Sequence, residues 1–134
     1  PVTPPQAVLY EPDPAVIRAS LVEHLGTSLD AALLDPTIAY LTADQFVPTP
    51  FARAWSVVED APFNLKALNR RLQALEADVV AVKKRGSPIE PEHFRRQLKR
   101  IPGGRPLVVF VTRVEERPWM VLAEEVEGGS SEAT

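Results

Sequence analysis

The sequence predicts an α+β fold: a mixed sheet with the order β-α-β-α-β-β from about residue 50, preceded by a small helix–strand segment. Three observations carry this. Short Val- and Trp-rich runs alternate with two stretches whose apolar residues recur at helical spacing. Pro and Gly mark the joints between them. The last two apolar runs flank a short Glu115-Glu116-Arg117 turn, the pattern of a β-hairpin.

Each element follows from local chemistry. Residues 1–8, with Pro1, Pro4 and Pro5, read as a linker. Asp13 is a good N-cap and Pro14 suits a first helical position. Ile17, Leu21 and Leu25 repeat every four residues and Gly26 offers a stop, so a helix is expected over about 14–25. A short turn is expected at 29–34, ended by Asp35-Pro36, and Ile38–Thr42 reads as a short strand. Beyond Pro48 and Pro50, Ala52–Glu59 reads as a strand. Asn64–Leu75 reads as a helix with Leu65, Leu68, Leu72 and Leu75 on one stripe. Val79–Lys84 is the next strand, and Pro91–Arg100 a second helix with Glu92 in its first turn. Leu107–Val114 and Trp119–Val126 form the hairpin; being almost continuously apolar, both are expected to lie centrally. The division is then 1–8 linker, 9–45 small segment, 46–126 main domain and 127–134 disordered tail.

Composition narrows the function. The chain has 134 residues, 45% of them apolar, enough for one core. It has no cysteine, which excludes disulfides and thiolate metal sites and fits the cytoplasm. No apolar run approaches the roughly 20 residues of a membrane helix. A start on Pro1 fits a processed chain or an excised piece. Net charge is −3, unevenly spread: residues 63–105 hold 11 basic and 4 acidic groups, while the flanks are acidic. An anionic partner for the middle third is the natural inference.

The basic groups concentrate in two neighbouring places. The apolar run from Asp78 ends in Lys83, Lys84, Arg85 and Gly86. In the helix that follows, Phe94, Leu98 and Ile101 share a stripe, leaving Arg95, Arg96, Lys99 and Arg100 on the water side. Seven cations are therefore expected to converge on one exposed surface. Gly86 would let backbone approach a ligand, and the helix-start amides would favour phosphate. The alternative is a solvated helix face beside a polar strand end. With Phe94 assigned to the core, few aromatics stand near the patch to stack on bases, so base readout has little support. Elsewhere, Ser20 and His24 stand four apart but lack an orienting acid and an oxyanion site. His24 and His93 have no metal-ligand pattern, and Gly103-Gly104 reads as a turn. Glu11 and Asp13 read as linker and cap.

Five stretches together carry a family resemblance: Y-E-P-D-P-A-V-I-R-A, L-D-P-T-I-A-Y-L-T-A-D, T-P-F-A-R-A-W-S-V-V-E, V-K-K-R-G-S-P-I-E-P-E and V-V-F-V-T-R-V. The chain resembles, over about residues 8–124, the C-terminal region of bacterial class I S-adenosylmethionine-dependent methyltransferases that carry a THUMP-like domain. The resemblance implies a ferredoxin-like segment at 9–45 and a THUMP-like domain at 46–126. It also implies that the opening residues are a linker downstream of a catalytic domain. That domain and its glycine-rich cofactor loop are missing here, so S-adenosylmethionine is expected in the implied catalytic domain and no cofactor in this chain. THUMP domains proper bind RNA, which implies RNA contact, to tRNA or rRNA, at Lys83, Lys84, Arg85, Gly86, Arg95, Arg96, Lys99 and Arg100.

Two functions of different class follow. One is a non-catalytic RNA-binding accessory domain acting beside a methyltransferase domain in cis or in trans. The other is a structural module that docks on a methyltransferase domain or a partner chain. Scattered or carboxylate-matched cations would favour the second; neither reading makes this chain an enzyme by itself.

Overall fold

The computed structural model describes residues 2–126, so the expected disordered tail at 127–134 lies outside the described residues. Among the described residues eleven elements follow one another: β1 (Val8–Pro12), α1 (Pro14–Arg18), α2 (Val22–Leu29), β2 (Ala32–Asp35), β3 (Ile38–Ala43), β4 (Ala52–Pro62), α3 (Leu65–Ala74), β5 (Ala77–Lys84), α4 (Pro91–Arg96), β6 (Arg105–Val114) and β7 (Arg117–Glu125). The strands form one sheet in the order β2-β3-β1-β4-β7-β6-β5. Among the named strands only the β5–β6 pair is parallel, and α4 lies in the crossover between them. From β4 onward the order is β-α-β-α-β-β, as the sequence predicts.

The sheet rolls up. Strand β2, at one edge, returns to the β6–β7 turn, where Glu115 N donates to Leu34 O and Glu116 N to Asp35 Oδ2. The rolling encloses a concave core of Leu9, Leu34, Ile38, Tyr40, Trp55, Phe110 and Val121. Tyr40 and Trp55 both meet Phe110 edge-on, at 5.5 and 5.1 Å. On the convex side α3, α4 and the residues just after it bury Leu68, Leu72, Phe94 and Leu98 against Val79, Leu107, Val109 and Leu122. A third cluster lies under α2, where Leu25 and Leu29 meet Tyr10, Leu41 and Ala54.

Three expectations need correction. The sequence predicts no strand here and reads Glu11 as linker, yet Val8–Pro12 is an inner strand, antiparallel to both β3 and β4, and burial of Val8, Leu9 and Tyr10 holds it there. The helix expected over 14–25 is two helices. Ser20 takes a left-handed φ of 59°, Ser20 N donates to Ile17 O, and Leu21 N donates to Val16 O, a Schellman ending. Gly26 is no stop but lies within α2, where an added Cβ would stand 3.3 Å from Leu41 Cδ2; the helix ends instead at Asp30, φ 53°. The short turn expected at 29–34 is largely strand β2.

Candidate nucleic-acid interface

The strand β5 presents alternate residues to opposite faces, with a bulge between Val79 and Ala81. That period divides the three cations at its end. Lys83 and Arg85 turn to the concave side. Lys83 Nζ sits 3.1 Å from Glu11 Oε1 and 5.5 Å from the Trp55 ring centroid. Arg85 Nη2 sits 3.9 Å from the other oxygen of Glu11, with the guanidinium 5.7 Å from the Tyr40 ring centroid. Burial, and then the negative charge of Glu11, push the Tyr40 phenol far up. Lys84 points the other way, and its Nζ donates to Ile89 O at 2.8 Å on the side covered by α4. The seven cations therefore do not share one surface. The residue missing from the sequence reading is Glu11, which holds Lys83 and Arg85 away from the helix face.

Gly86 has a packing role. Its φ is +76°, and an added Cβ would come 2.3 Å from Ile38 Cδ1 and 3.1 Å from Arg113 Nε. The glycine thus lets the chain close over the end of β3, where the sequence suggested room for a ligand.

The helix α4 is shorter than expected, ending at Arg96; its Phe94 is buried and its cations are exposed, and Leu98 is buried in the turn that follows. Its starting amides are already occupied. The Glu90 carboxylate accepts from His93 N at 2.7 Å and from Glu92 N, and the His93 amide above all holds that carboxyl below its usual range. The expected phosphate cradle at this helix start is therefore filled by the chain itself. Arg95 Nη2 donates to Val79 O at 2.9 Å. Arg100 bonds Asp78 at 2.8 Å, and this bond is the main cause that lowers the Asp78 carboxyl. Arg96 and Lys99 are exposed and, among the described residues, have no carboxylate partner.

A further part of this face was missed. Lys66 and Arg70 lie on α3, one turn apart and away from the buried Leu68 and Leu72. With Leu65, Asn69, Gln73 and Lys99 they line a groove of about 470 Å³. Asn69 fixes its floor: its Nδ2 donates to Gln97 O at 3.1 Å, and its Oδ1 accepts from Lys99 N at 2.7 Å. The i, i+4 pair of cations opposite the leucine stripe was the available signal.

Elsewhere, Leu21 and Phe51, 45% and 56% exposed, line an apolar hollow with Val16, His24, Leu25 and Ser28. Ser20 sits at the helix break, so Ser20 and His24 do not share one helix turn. Among the described residues no group of three His, Cys, Asp or Glu could hold a metal, and no helix is long and apolar enough to cross a membrane.

Residues 52–125, from the start of β4 to the end of β7, match the family model described as "THUMP domain-like". Over 113 residues the chain is 38% identical to uncharacterized S-adenosylmethionine-dependent methyltransferases of two Mycobacterium tuberculosis strains, CDC 1551 / Oshkosh and ATCC 25618 / H37Rv. Those matches cover 84% of this chain but 31% of each relative, so the chain spans about a third of their length. The fold also resembles a crystal structure from Porphyromonas gingivalis W83, named as a proposed methyltransferase, with a TM-score of 0.77 at 20% identity over 94% of this chain and 31% of that one. The match over the whole sheet-and-helix unit from β4 to β7 places this chain in the THUMP domain-like family.

Proposed function

We propose that this chain is a non-catalytic accessory domain that holds structured RNA, tRNA or rRNA, for a cytoplasmic S-adenosylmethionine-dependent methyltransferase domain in cis or in trans. One observation carries the reading. Lys84, Arg95, Arg96, Lys99 and Arg100 lie at the end of β5, on α4 and just after it, and Arg96 and Lys99 make no salt bridge among the described residues. Lys83, Arg85 and Gly86 leave the contact set, because Glu11 holds the two cations and Ile38 fills the space at the glycine. Cations on a helix face bind phosphates without reading sequence, and such contacts are salt-sensitive, with dissociation constants of about 10⁻⁴ to 10⁻⁶ M. That affinity becomes useful when the RNA is held at the same time by a catalytic domain, through effective concentration. In this reading the cofactor and the transfer chemistry belong to the catalytic domain. The methyltransferase names of the relatives support the pairing.

Filter binding of tRNA across a salt series tests it. The triple variant Arg96→Glu, Lys99→Glu and Arg100→Glu should bind more weakly with a shallower salt dependence. An unchanged slope removes the proposal.

A second reading rests on the hollow at Leu21 and Phe51. Exposed large apolar side chains around one concavity suit a protein contact, and the occupant would be the methyltransferase domain. Leu21→Asp with Phe51→Asp should abolish co-sedimentation with that domain and leave tRNA binding intact; retained co-sedimentation rejects this surface.

A further inference from the structure

We infer that the groove between α3 and the segment following α4 is a binding site for the phosphodiester backbone of RNA, with Lys66, Arg70 and Lys99 as its cationic contacts. The inference rests on the RNA reading above and adds a site on a second helix.

The groove gathers three cations that no carboxylate pairs among the described residues, whereas many others on the molecule are paired. Arg53, Arg71, Lys83, Arg85, Arg100 and Arg105 each have a carboxylate partner. Lys66, Arg70 and Lys99 have none among the described residues, and no Asp or Glu lines the groove. The neighbouring carboxylate that could have reached α3, Glu59, is taken by Arg71 through two hydrogen bonds. Three like charges converging on one hollow repel one another unless an anion enters, so the site is poised for a polyanion.

The shape is fixed in advance. Asn69 bonds the chain on both sides of Leu98, at Gln97 O and Lys99 N, so α3 and the end of α4 do not drift apart. Lys99 is therefore presented by a braced backbone, and Lys66 and Arg70 by a helix whose Leu68 and Leu72 are fully buried. A preformed site loses less entropy on binding.

The lining also selects the kind of anion. Protein interfaces centre on a buried apolar or aromatic anchor inside a polar rim. This groove has amides and cations, with Leu65 half-buried as its sole apolar residue. The amide of Gln73 and the second Nδ2 proton of Asn69 add donors suited to phosphate or ribose oxygens. No aromatic ring lines the groove, so bases have nothing to stack on and contact falls on the backbone. An RNA backbone thus fits better than an acidic protein.

The test uses the 134-residue chain and fluorescently labelled tRNA, with anisotropy titrations over a salt series. The variant Lys66→Gln, Arg70→Gln and Lys99→Gln preserves length and helix propensity at exposed positions, and its thermal midpoint confirms folding. A control variant, Arg18→Gln with Arg117→Gln, removes charge elsewhere. The groove variant should lower the slope of log affinity against log salt by about 2 to 3, since each phosphate contact contributes about 0.7–0.9; the control should leave it nearly unchanged. Wild-type binding with an unaltered slope in the groove variant overturns this site and leaves the wider RNA reading standing. No tRNA binding by the wild-type chain overturns both. Displacement of tRNA by poly-L-glutamate at equal charge concentration overturns it in favour of an acidic protein.

Discussion

At the scale of single residues, two small features of this chain hold more than their sequence context suggests. Gly86 is one. In the variant Gly86→Ala the backbone keeps a φ of +76° and the new methyl meets Ile38 Cδ1 at 2.3 Å. We expect a loss of about 1–3 kcal/mol in chemical denaturation, the usual cost of strained left-handed backbone. On the RNA reading proposed above, affinity below the transition should be unchanged, because Gly86 packs against Ile38 and Arg113. Asp35 is the other. It is 1% exposed and accepts from Thr37 N, Thr37 Oγ1 and Glu116 N, joining the β2–β3 turn to the β6–β7 turn. Burial alone would raise its carboxyl. The amide and hydroxyl of Thr37, the amide of Glu116 and the charge of Arg113 outweigh that and hold it below the usual value. A lowered folded-state pKa means that the stabilisation is complete above the unfolded carboxylate value of about 3.9 and is lost as pH falls through the lower folded value. Asp35→Asn should therefore be less stable at neutral pH and should show a flatter acid limb. Urea midpoints measured from pH 7 down to about pH 2 would check the sign.

At the scale of elements, the ion pair between β1 and β5 joins two strands that are not neighbours in the sheet. These strands are third and seventh in the sheet, yet Glu11 of β1 reaches Lys83 and Arg85 across the concave side. The pair is partly shielded, with 18% and 27% side-chain exposure for Glu11 and Lys83. A double-mutant cycle with Glu11→Gln and Lys83→Met should give a coupling of about 1 kcal/mol, at the upper end for partly exposed ion pairs. A coupling near zero would make the contact incidental. The same bond shows where sequence stops being informative. Helix α3 and the β6–β7 hairpin were legible because their patterns are local: four leucines at helical spacing, and two apolar runs around a polar turn. Strand β1 was not, because its strand character comes from pairing with β3 and β4, which lie more than 30 residues away. The break at Ser20 was hidden because a serine takes the left-handed position that glycine usually marks. The division of Lys83 and Arg85 from Lys84 was readable from the period of two along a strand. What could not be read was Glu11, the counter-ion that gives the division its consequence.

At the scale of the whole molecule, the uneven charge along the chain becomes a pairing pattern in space. The acidic first part supplies Glu11 to Lys83 and Arg85 and Glu59 to Arg71, and the last strand supplies Glu124 to Arg105. Six cations of the basic third, Lys66, Arg70, Lys84, Arg95, Arg96 and Lys99, are left without carboxylate partners among the described residues, and they belong to α3, α4, the residues after it and the helix-facing side of β5. The acidic flanks thus leave the positive field on the helix face. They also build the core. The family match starts at residue 52, but β4 pairs with β1 along its first half, and the fully buried Trp55 packs with Leu9 and Tyr40 from the residues before it. A fragment of residues 52–126 would lose that strand partner, uncover an aromatic core and release Lys83 and Arg85 from Glu11 in one cut. An open apolar edge on a curled sheet does not stay in solution unpaired. The fragment should therefore show no cooperative thermal transition, whereas the full chain should melt once, with tryptophan fluorescence and far-ultraviolet circular dichroism coinciding. Two separated transitions in the full chain, or a folded fragment, would mean that the strands before residue 52 decorate the family domain and do not complete it.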